Sequence, residues 1–177
     1  MPVLETPRLR LRRWSDGDWA EMTAINSDPD VMRWIGSGLT LTEEQTKKAI
    51  ARWEDAWELR GYGLFAVEVK ETGRLAGFTG FAVPTFLPEV MPAVEIGWRL
   101  GRPFWGNGIA TEAAAEALRF GREACGLTEV LSIVQIGNGA SERIMQKLGM
   151  QLERETVDPN SGRPVKVYTT GNPDSQE

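Results

Sequence analysis

Val94-Glu95-Ile96-Gly97-Trp98-Arg99-Leu100-Gly101-Arg102-Pro103-Phe104-Trp105-Gly106-Asn107-Gly108-Ile109-Ala110-Thr111-Glu112-Ala113 runs from a strand-like segment, Val94 to Leu100, through a glycine turn into an alanine-rich helix predicted from Gly108 to Ala124. Gly126 is placed to cap that helix. The first N–H groups of a helix have no intrahelical partner, and the helix dipole adds about half a positive charge at the same end. Together they form a site for a phosphate or pyrophosphate. Gly106 and Gly108 have no Cβ to hold an oxygen away from the backbone.

Three readings of this turn are weighed on local grounds, and the first fails. A P-loop needs Lys and Ser/Thr after its last glycine, where this chain has Ile109 and Ala110. A dinucleotide site needs a third glycine where Thr111 stands, although Glu129 lies about 20 residues onward, where such sites carry an acidic residue. An ordinary strand-to-helix turn, with glycines for packing, is the third.

Outward from the turn, Leu9 to Trp14 reads as a strand of alternating apolar and Arg positions. Ser15 and Asp16 are expected to cap a helix from Asp18 to Asn26, broken at Asp28-Pro29. Val31, Met32, Trp34 and Ile35 form a short apolar patch, and Gly36-Ser37-Gly38 a flexible joint. Thr42-Glu43-Glu44-Gln45 has the spacing of a capping box, predicting a helix to Arg60 with Ile50, Trp53 and Trp57 on one face. Strands follow at Gly63 to Lys70 and Arg74 to Val83, with a proline-rich loop from Pro84 to Pro92. Beyond the long helix come a strand from Glu129 to Ile136, a helix from Ser141 to Leu148 stopped by Gly149, and strands at Gln151 to Thr156 and Lys166 to Thr170. Early antiparallel strands followed by strand–helix units give a mixed α/β sheet. Residues 1–170 read as one domain and 171–177 as a disordered tail.

Composition removes whole classes of chemistry. The 177 residues contain no histidine and one cysteine, Cys125, read as a buried structural thiol. A Ser-His-Asp triad, a Cys-His pair, a His-containing zinc site and an intramolecular disulfide are excluded, and no metal is expected. Acidic residues outnumber basic ones 25 to 20, for a formal charge of −5, which argues against nucleic acid as partner. No apolar run approaches the roughly 20 residues that span a bilayer. The N-terminal stretch from Met1 to Trp14 carries four arginines and no apolar h-region, so the expected location is cytoplasmic, with no membrane partner.

A second constellation, Asn138-Gly139-Ala140-Ser141 followed by Lys147-Leu148-Gly149-Met150, narrows the choice. With Glu95-Ile96-Gly97-Trp98, with Trp105 to Ala113, and with the opening Thr6-Pro7-Arg8-Leu9-Arg10-Leu11-Arg12, the chain resembles the GNAT superfamily of N-acetyltransferases over roughly Leu4 to Thr170. Its closest resemblance is to the branch containing the ribosomal-protein N-terminal alanine and serine acetyltransferases. The resemblance implies the GNAT fold, a mixed, mostly antiparallel sheet of about seven strands flanked by about four helices. It implies acetyl-CoA as co-substrate and a primary amine, a protein N-terminus or a small molecule, as acceptor. A homodimer through the terminal strands rests on the same resemblance.

Its division of labour, carried onto this chain, gives Trp98, Arg99 and Leu100 backbone pairing with the pantetheine arm. The amides of Trp105, Gly106, Asn107, Gly108, Ile109, Ala110 and Thr111 hold the pyrophosphate, and Asn138 bonds the cofactor near its pantetheine. Arg143 and Lys147 either reach its 3′-phosphate or form a solvated helix face. Two positions depart from the family pattern. Pro103 stands where Gln or Arg is common and removes one amide from the cradle. Met145 stands where many members carry an acidic Tyr, leaving Ser141 as the candidate acid, or alternatively as an N-cap.

A neutral amine must attack the thioester, so a base is needed. Without histidine a carboxylate is the natural choice, acting directly or through a water. Glu95 is the candidate; its other readings are a solvated strand carboxylate or a partner of Arg99. Glu112, in the first turn of a helix, is better explained by the dipole. Trp34, Trp53, Trp57, Phe81 and Phe86 are candidates for lining the acceptor side, or are core. A non-catalytic acyl-CoA-binding or sensing module on the same fold is the alternative to an enzyme.

Overall fold

The strand–turn–helix of the opening sequence lies at the centre of the molecule. A computed structural model describes residues 2–171; beyond Gly171 the expected tail lies outside the described residues. An eight-stranded sheet runs in the order β1-β2-β3-β4-β5-β6-β8-β7. The strands are β1 (Leu4–Glu5), β2 (Leu9–Arg12), β3 (Leu64–Val69), β4 (Leu75–Ala82), β5 (Glu95–Leu100), β6 (Leu131–Gln135), β7 (Gln151–Val157) and β8 (Pro164–Thr169). Every neighbouring pair is antiparallel except β5–β6, which is parallel. The helices are α1 (Asp18–Asn26), α2 (Pro29–Met32), α3 (Glu43–Arg60), α4 (Ile109–Cys125) and α5 (Gly139–Lys147). Among the described residues no helix is long and apolar enough to cross a membrane.

Two of three buried clusters lie on opposite faces of the sheet. On one face Ile96 and Leu100 of β5 pack against Ile109, Ala113, Ala114 and Ala117 of α4. On the other, Met22 and Ile25 of α1 and Val31 and Met32 of α2 cover Leu64, Leu75 and Phe78. The small residues of α4 bring it close to the sheet. At Gly121 a Cβ would stand 2.5 Å from Cζ of Phe81, whose ring is fully buried. Gly121→Val is therefore expected to lower the melting temperature by several degrees. Forcing extra carbon into a filled core costs about 1–3 kcal/mol, each worth ~2–4 °C in a chain of this size. Thermal denaturation followed by circular dichroism checks it.

Local chemistry explains the boundaries. Thr42 and Gln45 close the capping box of α3, and Gly61 ends that helix in the left-handed region. Several expectations need correction. Ser15 and Asp16 do not cap α1: its N-cap is Gly17, and the nearby side-chain acceptor is Asp18, which takes the Ser15 N–H. Asp28-Pro29 does not merely break a helix. Asp28 caps α2, whose first residue is Pro29, because proline at that position gives up an N–H the helix would not use. The expected mixed, mostly antiparallel sheet flanked by helices is present, with eight strands and five α-helices among the described residues. Gly36-Ser37-Gly38 is tied down. Gln135 Nε2 donates to Gly36 O at 2.7 Å, and Arg163 Nη2 to Ser37 O at 2.8 Å.

Candidate active site

The parallel ladder between β5 and β6 is one bridge long, Glu95 opposite Leu131, with Leu131 N–H donating to Val94 O. Beyond it the strands part. The Ile96 carbonyl, which a further ladder bond would use, accepts the Ser132 hydroxyl instead at 2.9 Å. Successive residues of a strand aim their peptide groups at opposite edges. Gly101 N–H bonds Ala76 O on β4, so Ile96, Trp98 and Leu100 face the opening while Gly97 and Arg99 face β4. The Leu100 carbonyl is taken by the Trp105 indole at 2.9 Å. Trp98 N–H and C=O and Leu100 N–H thus line a free strand edge within the sheet. The peptide groups of Arg99 are turned away from the opening, contrary to the backbone role expected of it; those of its two neighbours face it.

At the end of β5 the chain makes a short turn, Arg102–Phe104, and enters α4 through Gly106 and Gly108, both at positive φ. Trp105 N–H is used in that turn, donating to Arg102 O, so the cradle begins one residue later than expected. Among the described residues none accepts from the N–H groups of Gly106, Asn107, Gly108, Ile109, Ala110 or Thr111. Six consecutive amides stand free at the positive end of a 17-residue helix. Nothing lies within 4 Å of where a Cβ of Gly106 would be. These residues fit the pyrophosphate of coenzyme A: the donors are present, uncommitted and open.

Two cavities meet behind the free edge. One, of about 500 Å³, is lined by Trp105 to Gly106, Gly108 to Thr111, and α5 residues including Arg143 and Lys147. The other, of about 440 Å³, is lined by Glu95, Trp34, Trp53, Phe78, Phe86 and the strands around them. Trp34, Ile35, Trp98, Arg99, Asn138 and Ser141 border both. Of the expected aromatics, Trp34, Trp53 and Phe86 face the second cavity. Trp57 and Phe81 belong to the core instead, Trp57 edge-on to Phe65 at 4.7 Å.

Glu95 faces the second cavity, and among the described residues none donates to its carboxylate. Its side chain is half-buried, with one side open to the cavity. Burial pushes its pKa up to about 7. The pairing with Arg99 does not occur: Arg99 Nη1 donates to Asn26 Oδ1 at 2.8 Å, and its guanidinium stacks over the Phe78 ring at 4.9 Å.

The Ser141 alternative also resolves structurally. Asn138 is the N-cap of α5, accepting the Ser141 N–H at 3.3 Å, and Ser141 is the third helical residue. The Ser141 hydroxyl oxygen accepts the Trp98 indole N–H at 3.3 Å, which leaves its own proton to give. Asn138 spends its side-chain oxygen on the cap and keeps its amide N–H₂ for the junction.

Sequence reasoning missed two features. Arg8, noticed only as part of the opening motif, sits beside the glycine turn at the start of α4. Its Nε pairs with Glu112 at 3.2 Å, and its Nη2 lies 3.6 Å from where a Cβ of Gly108 would be. The segment 33–38 roofs the opening, held by Arg163 and Gln135 and by the Trp34 ring packed on Gly137. Neither is legible in local sequence, since the bonded residues lie about a hundred or more positions apart in the chain.

A split sheet beside an amide-lined helix mouth is the architecture of an acyl-CoA-dependent N-acyltransferase, and the comparisons agree. The family described as the acetyltransferase (GNAT) domain matches residues 8–151. The uncharacterized protein YkkB of Bacillus subtilis is 36% identical over 168 residues, covering 93% of each chain. The uncharacterized N-acetyltransferase YoaA of the same organism is 30% identical over 152 residues, covering 86% of this chain and 84% of its own. Among solved structures, a GNAT-family acetyltransferase from Bacillus anthracis superposes with a TM-score of 0.80 at 27% identity, covering 95% of this chain and 97% of that one. The chain belongs to the GNAT family of acetyltransferases, enzymes that take the acetyl group from acetyl-CoA.

Proposed function

We propose that this enzyme passes the acetyl group directly to a primary amine, with Glu95 as base and Ser141 as the acid for the departing thiol. The observation that carries the reading is the junction of the two cavities. One holds six free amides suited to a diphosphate, the other holds an unpaired carboxylate, and they meet at the Ser141 hydroxyl and the free edge of β5.

In this reading Gly106 to Thr111 bind the pyrophosphate, and Trp98 and Leu100 pair with the amides of the pantetheine arm. Asn138 donates to the same arm, while Arg8, Arg143 and Lys147 add positive charge around the phosphates. Trp98 N–H, fixed by the β4 ladder, meets the oxygen that gains charge as the amine adds. Glu95, with its pKa raised, takes the proton from the ammonium or from a water between them at neutral pH. The hydrogen bond from Trp98 Nε1 orients Ser141 so that its O–H can protonate sulfur as the C–S bond breaks, its oxygen regaining through water the proton that the acylated nitrogen loses.

Titration calorimetry with acetyl-CoA, followed by a free-thiol assay over a panel of amines, tests the proposal. Thiol release dependent on at least one primary amine is expected. Binding without release from any amine would mark a sensing module instead.

A further inference from the structure

Arg99 is the most unusual charged group in the molecule. Its Nη1 is anchored on Asn26 Oδ1 at 2.8 Å, and Asn26, fully buried, is held in turn by the fully buried Thr46 at 3.0 Å. One face of the guanidinium lies against Phe78. The rest of the group has no protein partner among the described residues. Nε is buried with no acceptor, Nη2 makes no hydrogen bond, and no carboxylate lies within ion-pair distance. Burial without an anion lowers its pKa to about 10, so it remains charged at neutral pH.

Leaving a cation enclosed and unmatched is costly, and the usual remedy is a paired anion. Nε–H and Nη2–H form one edge of the guanidinium fork, the geometry that grips two oxygens of a carboxylate or phosphate. The anion should not come from acetyl-CoA. Its phosphates have the amides of Gly106 to Thr111, and the pantetheine that would pass Arg99 is neutral.

We propose that the free edge of Arg99 receives an oxyanion group, carboxylate or phosphate, carried by the acceptor amine. This rests on the acyl-transfer reading above and names the substrate class for that site: a primary amine that is also an anion. Glu95 and Arg99 lie on the same face of β5, four residues apart, so their Cα atoms are ~13 Å apart at ~3.3 Å per residue. The two side chains form no ion pair with each other, and a chain of several carbons between amine and anion suits that separation better than an α-amino acid does. The aromatic walls Trp34, Trp53 and Phe86 suit such an apolar spacer.

The test compares ε-aminocaproate with hexylamine, an aminohexyl phosphate and glycine in the thiol-release assay. For the wild type, kcat/KM for ε-aminocaproate or the phosphate should exceed that for hexylamine by on the order of 10- to 100-fold, the worth of a charge-assisted pair. Glycine should be poor. Arg99→Met should collapse that ratio toward one, mainly through KM, while Arg99→Lys retains part of it. Hexanoate should inhibit the wild type competitively against the amine and not against acetyl-CoA, a readout that needs no variant.

Thiol release without preference for the anionic amines, or a preference that survives Arg99→Met, overturns this inference and leaves acyl transfer standing. Inhibition by hexanoate that competes with acetyl-CoA also overturns it, by assigning Arg99 to the cofactor. No release from any amine overturns both.

Discussion

Replacing Glu95 by glutamine is expected to lower kcat by on the order of 10²- to 10⁴-fold while leaving the acetyl-CoA dissociation constant within a few-fold of wild type. The carboxylate borders the acceptor cavity and not the amide cradle, so the loss belongs to proton removal and not to cofactor binding. The pH dependence sharpens the test. Glu95 is active as a base only when ionised, and burial places that ionisation at about pH 7. In the wild type kcat/KM should rise through that pH and level off above it, and the Gln variant should lose this limb. Stability moves the other way. Between the ordinary glutamate pKa of 4.5 and about 7 the folded chain holds a proton that the unfolded chain releases, so wild-type stability falls as pH rises through that window. The glutamine variant is spared this loss and should melt higher than wild type at pH near 8, with the difference closing toward pH near 4.5. Rates together with melting curves check both halves. Unchanged turnover would remove Glu95 from the mechanism.

Gly108→Val is expected to act first on the cofactor. Gly108 is the N-cap of α4, with φ of +75°, a conformation that a β-branched residue adopts only under strain. The neighbouring space is not the obstacle: the nearest atom to an added Cβ is Arg8 Nη2 at 3.6 Å. The cost is therefore in the backbone, about 1–3 kcal/mol. It is relieved by rotating the very peptides whose N–H groups form the cradle. Acetyl-CoA affinity should fall by on the order of 10- to 100-fold, a factor of ten for each ~1.4 kcal/mol. Gly108→Asn is the control, because asparagine tolerates positive φ, and it should retain most of the affinity. Calorimetric titration of the three proteins decides. Equal weakening by Val and Asn would show that the side chain, and not the backbone, is at fault.

What the sequence revealed was what local rules govern. The strand, glycine turn and helix around Gly106 and Gly108 were readable because glycine spacing and a change of hydrophobic period act over a few residues. α3 was readable to its first residue because Thr42 and Gln45 form a capping box by themselves. Short elements were not. Asp28-Pro29 reads equally as a breaker and as a helix start, and two-residue β1 has no pattern to display. The site followed the same division. Glu95, Ser141 and the loop amides could be nominated by position, but three facts depended on tertiary packing. These are that Asn138 and not Ser141 caps α5, that Arg99 turns its peptide groups to β4 and its side chain to Asn26, and that residues 33–38 cross above the opening.

The parting of β5 from β6 leaves a strand border with unsatisfied donors and acceptors in the interior of a sheet, the kind of surface that recruits stray strands into aggregates. Here it is sheltered by the segment running from Arg33 to Gly38, which Arg163 and Gln135 fasten across the gap. The same fastening thus leaves no run of that border open along its whole length to an incoming strand.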